Sequence, residues 1–66
     1  MKISLNGYII DLPENMTVED LIKWKEIPSQ GTAVALNNKL IKQSNWSITE
    51  LKEKDQVTII SAAYGG

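Results

Sequence analysis

Sixty-six residues, seven basic against eight acidic for a net charge of −1, allow a single domain near the lower limit at which an apolar core alone offsets chain entropy. The chain has no cysteine and no histidine, which excludes disulfides, thiolate metal sites, thiol nucleophiles and the commonest general base and metal ligand. Arginine is also missing and the lysines stand singly, so the positive stripe that a nucleic-acid binder uses to neutralise phosphates is excluded.

The chain opens with "MKISLNGYIIDL", apolar and polar residues alternating on both sides of Asn6-Gly7. That dipeptide best tolerates the positive φ angles of a type I′ hairpin turn. A two-residue loop there sets Leu5 opposite Tyr8, Ile3 opposite Ile10 and Met1 opposite Leu12, six apolar side chains on one side of the ribbon. The other side pairs Lys2 with Asp11 and Ser4 with Ile9, and Ile9 alone breaks its polar character. Pro13 ends the second strand, and "MTVEDLIKW" carries the grammar of a helix start. Thr17 is the N-cap, Asp20 completes a capping box and Met16 is placed to staple against Leu21. Val18, Leu21, Ile22 and Lys25 form a stripe at helical spacing, with Trp24 off its centre and placed to pack under the following loop. Pro28 disfavours helical geometry at Ile27, which limits the helix to about two or three turns.

"TAVAL" reads as a third strand with Val34 and Leu36 on one face, and Asn37-Asn38 as a tight turn into a short fourth strand, Lys39 to Ile41. "KQSNWSITELKEKD" reads as a long polar loop tied to the core by Trp46, Ile48 and Leu51. "QVTIISA" is the last strand, Val57 and Ile59 on one side, Thr58 and Ile60 on the other. A hairpin, one helix and a final strand apolar on both faces predict an α+β fold of β-grasp type. Its mixed sheet has four to five strands, the last lying near the middle and parallel to the first, with one main helix across one face. No pair of carboxylates carries a metal or acid-catalysis motif, and none is assigned. The apolar runs are too short to span a bilayer and the start does not resemble a secretion signal, so the expected setting is cytoplasmic, without membrane.

The chain closes on Tyr64-Gly65-Gly66. Glycine loses more backbone freedom on ordering than any other residue, so a terminal pair contributes nothing to folding. A tip without side chains can instead thread a channel too narrow for a Cβ atom and present a terminal carboxylate inside another protein. The expectation is one domain over 1–66 with a flexible tail at 63–66, in which Gly65 and Tyr64 thread into a partner. Ile60 and Ile9 fall on the face away from the helix, where exposed apolar side chains make a candidate partner surface.

In this order the "NG" hairpin, the "TVEDLI" helix start, "VALNNKLI" with Trp46 five residues on, "KDQVTII" and the closing Gly-Gly resemble the ubiquitin-like sulfur carrier proteins of thiamine biosynthesis, the ThiS family. The resemblance covers essentially the whole chain. It implies a carrier that is no enzyme and binds no cofactor, with the Gly66 carboxylate as the reactive group. An E1-like adenylyltransferase (ThiF) would activate that group with ATP and magnesium. Sulfur from cysteine, through a donor such as a cysteine desulfurase, would give a thiocarboxylate for thiazole synthase (ThiG). A terminal carboxylate has a pKa of about 3.5 and is ionised at neutral pH, so such a scheme needs no general base from the carrier.

Two stretches depart from the family pattern. Many members read Val-Pro-Arg-x-x-Trp where Ile41-Lys42-Gln43-Ser44-Asn45-Trp46 stands here, and Gly-Asp where Lys54-Asp55 stands. Two alternatives stay open: the small subunit of molybdopterin synthase, which shares fold and tail, and a β-grasp interaction or modifier module without sulfur chemistry. The Trp46 loop and the short chain favour the thiamine branch.

Overall fold

Asn6 and Gly7 take φ of 49° and 88°, the two left-handed conformations that a type I′ turn demands and that these residues adopt at least cost. The turn joins β1 (Lys2–Leu5) to β2 (Tyr8–Asp11) in a computed structural model that describes residues 1–61. The register is the expected one, Leu5 opposite Tyr8, Ile3 opposite Ile10, Ser4 opposite Ile9 and Lys2 opposite Asp11. Ile3, Leu5 and Leu12 enter the core, with Met1 and Ile10 partly covered beside them. Tyr8 departs from expectation and is exposed. It is the first residue of the outermost strand, next to the turn, at a corner of the sheet that no element among the described residues covers.

The capping box forms as expected. Thr17 Oγ1 accepts from the Asp20 N–H at 3.1 Å and the Asp20 carboxylate accepts from the Thr17 N–H at 3.0 Å, which satisfies donors that α1 (Val18–Trp24) would otherwise leave open. Val18, Leu21 and Ile22 are buried. The helix stops before Pro28 can act. The Glu26 N–H bonds to the Lys23 carbonyl and the Ile27 N–H to the Ile22 carbonyl, both at 3.0 Å, a Schellman termination that seats Ile27 in the core beside Ile22. Its left-handed residue is Glu26, φ 57°, where glycine is usual. Trp24 is not packed under the following loop. It is 51% exposed, with the Lys25 ammonium 5.9 Å from its ring centroid, because the turn at Glu26 carries the chain toward the burial site of Ile27 and away from the indole. Glu26→Gly removes a left-handed side-chain penalty and is expected to stabilise the domain by about 0.5–1 kcal/mol. A thermal melt checks this, and a lowered Tm would show that Glu26 contributes more than strain.

Asn37 and Asn38, φ 52° and 68°, make a second primed turn between β3 (Thr32–Leu36) and β4 (Lys39–Ile41). The final strand, β5 (Gln56–Ser61), inserts between β1 and β3 to give the sheet order β2-β1-β5-β3-β4. It is parallel to β1 and antiparallel to β3. Val57, Ile59 and Ser61 point into the protein and Gln56, Thr58 and Ile60 out of it. Side chains from α1 and from the inner face of the sheet form one core, and those buried completely, such as Ile3, Val18, Leu21 and Val34, contribute about 1.5–3 kcal/mol each. This is the ubiquitin-like β-grasp, with its helix across one face of a five-stranded mixed sheet.

The stretch expected as a long loop has structure of its own. Gln43–Ile48 is a 3₁₀ helix, and Thr17 pairs with Glu50 as an antiparallel bridge. The Val18 N–H bonds to the Thr49 carbonyl and the Leu51 N–H to the Met16 carbonyl, each at 2.9 Å. Trp46 and Leu51 are anchors as expected, but Ile48 is 74% exposed. Three residues per turn bring Trp46 inward and rotate Ile48, two positions later, to the solvent side. Lys54 takes φ 71°, a left-handed conformation suited to the glycine that the family pattern has there. The departure in sequence therefore leaves the turn intact.

Candidate functional site

Gly66, Gly65 and Tyr64, the expected reactive tail, lie outside the described residues. The structure describes the platform from which that segment departs. On one edge of β5, Val34, Ala33 and Thr32 of β3 stand opposite Ile59, Ile60 and Ser61. On the other edge β1 donates from the Ser4 N–H to the Asp55 carbonyl and from the Asn6 N–H to the Val57 carbonyl, both at 2.9 Å. The β1 backbone then turns away, and the Asn6 side chain takes over. Its Oδ1 accepts from the Ile59 N–H at 2.7 Å and its Nδ2 donates to the Ile59 carbonyl at 3.2 Å.

A matching clamp holds the beginning of β5. Asn37 Oδ1 accepts from the Gln56 N–H at 2.8 Å, the Asn37 N–H donates to the Gln56 carbonyl at 2.7 Å, and Asn37 Nδ2 donates to the Asp55 carboxylate at 3.1 Å. Sequence reasoning credits both asparagines with turn conformation alone and misses these bonds. No local signal carries them, because each partner lies 53, 19 or 18 positions away along the chain. Once β5 is set beside β1 and β3, the turn residues become its neighbours.

The outward face of the sheet is where Ile60 and Ile9 lie, 69% and 71% exposed. The structure does not bring them together. β1 separates their strands, Ile9 sits opposite Ser4, and Ser4 stands beside Gln56, four residues before Ile60, a distance of about 13 Å along β5. Ile60 instead sits opposite Ala33, and the exposed Leu40 sits opposite Ala35, two residues farther along the same strand. The apolar area next to the strand exit is thus Ile60, Ala33, Ala35 and Leu40. Leu40 was legible in principle, since a two-residue turn at Asn37-Asn38 sets it opposite Ala35.

Carboxylates gather about the N-terminus. Glu14 and Asp11 hold the Met1 ammonium at 3.0 and 3.4 Å, at the end where β1 begins. The hydrogen bond to Glu14 raises the pKa of that ammonium, burial pulls it down, and the charges of Glu14 and Asp11 add to the rise. Glu19 and Asp20 occupy the first turn of α1, Glu50 pairs with Thr17, Glu53 accepts from the Lys2 N–H and Asp55 precedes β5. Glu26 and Lys25 follow α1 and Lys42 follows β4, while Glu19 reaches along the helix to Lys23 at 3.9 Å. The molecule measures 27 × 23 × 21 Å, longer than the screening distance of about 8 Å at physiological salt.

Among the described residues no three acidic side chains gather as metal ligands, and no helix is long and apolar enough to cross a membrane. Comparison with curated proteins returns no significant match. Two solved structures share the fold over the whole of this chain. The crystal structure of thiamine biosynthesis protein ThiS from Geobacter metallireducens superposes with a TM-score of 0.85 at 22% identity and is itself covered in full. The solution structure of a thiamine biosynthesis protein from the same organism gives a TM-score of 0.80 at 23% identity, with 88% of it covered. The ThiS family model matches residues 3–66, from the first core strand through the closing glycines, and the chain therefore belongs to the ThiS family of sulfur carriers.

Proposed function

We propose that this protein carries sulfur for the thiazole moiety of thiamine on its C-terminal Gly66, as a substrate of partner enzymes and without turnover of its own. The observation that carries the reading is a family match reaching Gly66 on a chain without cysteine or histidine. The Gly66 carboxylate oxygen attacks the α-phosphorus of ATP on an E1-like adenylyltransferase, and magnesium pyrophosphate leaves. The terminal sulfur of a persulfide derived from cysteine then displaces AMP to give an acyl disulfide, and attack of a second thiol on the donor's sulfur releases the thiocarboxylate and leaves the donor in a disulfide. Adenylation is necessary because a bare carboxylate has no adequate leaving group. A thiazole synthase consumes the sulfur, and the carrier returns with its carboxylate restored.

The platform supports this use. Tyr64 and Gly65 extend the segment that threads into the partner, and Gly65 and Gly66 cost roughly 1–2 kcal/mol each to order there, which the docking surface must offset. The apolar face formed by Ile60 and Leu40 is the surface offered for that docking, with Ile9 peripheral to it.

Incubation with the activating enzyme, magnesium ATP, a cysteine desulfurase and cysteine is expected to raise the mass of the C-terminal fragment by the difference between sulfur and oxygen. Mass spectrometry of that fragment decides the matter. An unchanged mass sinks the reading, and an isopeptide-linked adduct would replace it with a protein modifier.

A further inference from the structure

We propose that Asn6 is a positioning residue for the C-terminal carboxylate, its side-chain amide standing in for the missing β1 backbone and fixing the direction in which β5 leaves the sheet. The inference rests on the carrier reading above. In a parallel pair, a residue that donates to one partner position accepts from the position two residues on, and the next bond comes from two residues farther along its own strand. Asn6 makes the first of these bonds through its main chain, to the Val57 carbonyl. The strand reverses at Gly7, so no backbone is available for the bonds at Ile59. Asn6 Oδ1 and Nδ2 meet the Ile59 N–H and carbonyl instead, an amide replacing a peptide group with the same donor and acceptor.

Consequently β5 is held on both edges as far as Ile59, two residues beyond Val57, the last position paired with β1. Without the amide, the strand from Thr58 onward would rely on β3 and could pivot about that edge. Ser61, the last described residue, stands two residues beyond Ile59, and a 10° change of direction at Ile59 displaces it, the base from which the tail leaves, by about 1 Å. Misplacement of a reacting group by about 1 Å is enough to slow a reaction by roughly a hundredfold.

Asn37 supplies a matched control. It too sits in a primed turn at positive φ and clamps β5 through its side-chain amide, but at Gln56, the end away from the exit. Asn6→Gly and Asn37→Gly each keep the turn conformation while removing the amide. In Asn6→Gly, exchange of the Ile59 amide hydrogen is expected to quicken, and kcat for adenylation by the activating enzyme with magnesium ATP to fall by roughly ten- to a hundredfold. The KM for the carrier should rise less than kcat falls, because Leu40, Ala33 and Ala35 of the docking face stand on β3 and β4 and keep their places. Asn37→Gly should leave both constants as in the unsubstituted protein. A raised KM at constant kcat, equal kcat in both variants, or undisturbed Ile59 protection would each overturn the assignment. Failure of the unsubstituted carrier to be adenylated would instead overturn the carrier reading.

Discussion

Appending a single residue after Gly66 is expected to reduce adenylation by at least about a hundredfold while leaving the Tm unaltered. One residue adds about 3.3–3.6 Å of extended chain and, unless it is glycine, a Cβ atom. It therefore moves the reactive carboxyl several times farther than the roughly 1 Å that already costs about a hundredfold. Every core and sheet contact among the described residues lies at or before Ser61, five residues before the tip, and the addition leaves all of them in place. Pyrophosphate exchange with the activating enzyme, run beside a thermal melt of each protein, separates the two effects. Adenylation of the extended protein at its new end would show that the channel tolerates a longer and bulkier tip, and the threading argument would fall.

Replacing Trp46 with alanine should have the largest effect on the fold. The indole is buried, and its Nε1–H donates to the Ile41 carbonyl at 3.1 Å. It thereby ties the 3₁₀ helix to the end of β4 and to the core beneath α1. Truncation of a buried tryptophan costs about 3–5 kcal/mol, and a domain of this length has roughly 3–10 kcal/mol in total. A substantial unfolded population of Trp46→Ala at room temperature is the expected result, measured by urea titration followed by circular dichroism. Trp46→Phe keeps most of the apolar area but leaves the Ile41 carbonyl without this donor, and a loss of about 1–3 kcal/mol is expected. Should Trp46→Ala unfold at the same urea midpoint as the parent protein, the 3₁₀ segment is held by its backbone bridge to Thr17 and not by the indole.

Short-range chemistry made much of this molecule legible in its sequence. Asn-Gly tolerates positive φ at both positions and so fixed the first hairpin and its register. Thr17 and Asp20 fixed the start of α1 because a capping box needs only those two side chains and the nearby backbone. Alternation in "QVTIISA" placed the last strand centrally, since a strand apolar on both faces is easiest to accommodate inside a sheet. What tertiary structure alone decided involves partners distant along the chain. Glu26, in place of the expected stop at Pro28, ended the helix because burial of Ile27 repaid a left-handed glutamate. Ile48 turned outward when the supposed loop wound into a 3₁₀ helix, Tyr8 stayed uncovered at a sheet corner, and Ile9 was parted from Ile60 by β1. Above all, the amides of Asn6 and Asn37 became clamps on the strand that leads to the tail. Turn propensity is a property of the residue itself, whereas a hydrogen bond across 53 positions exists only after the sheet order has put donor and acceptor side by side.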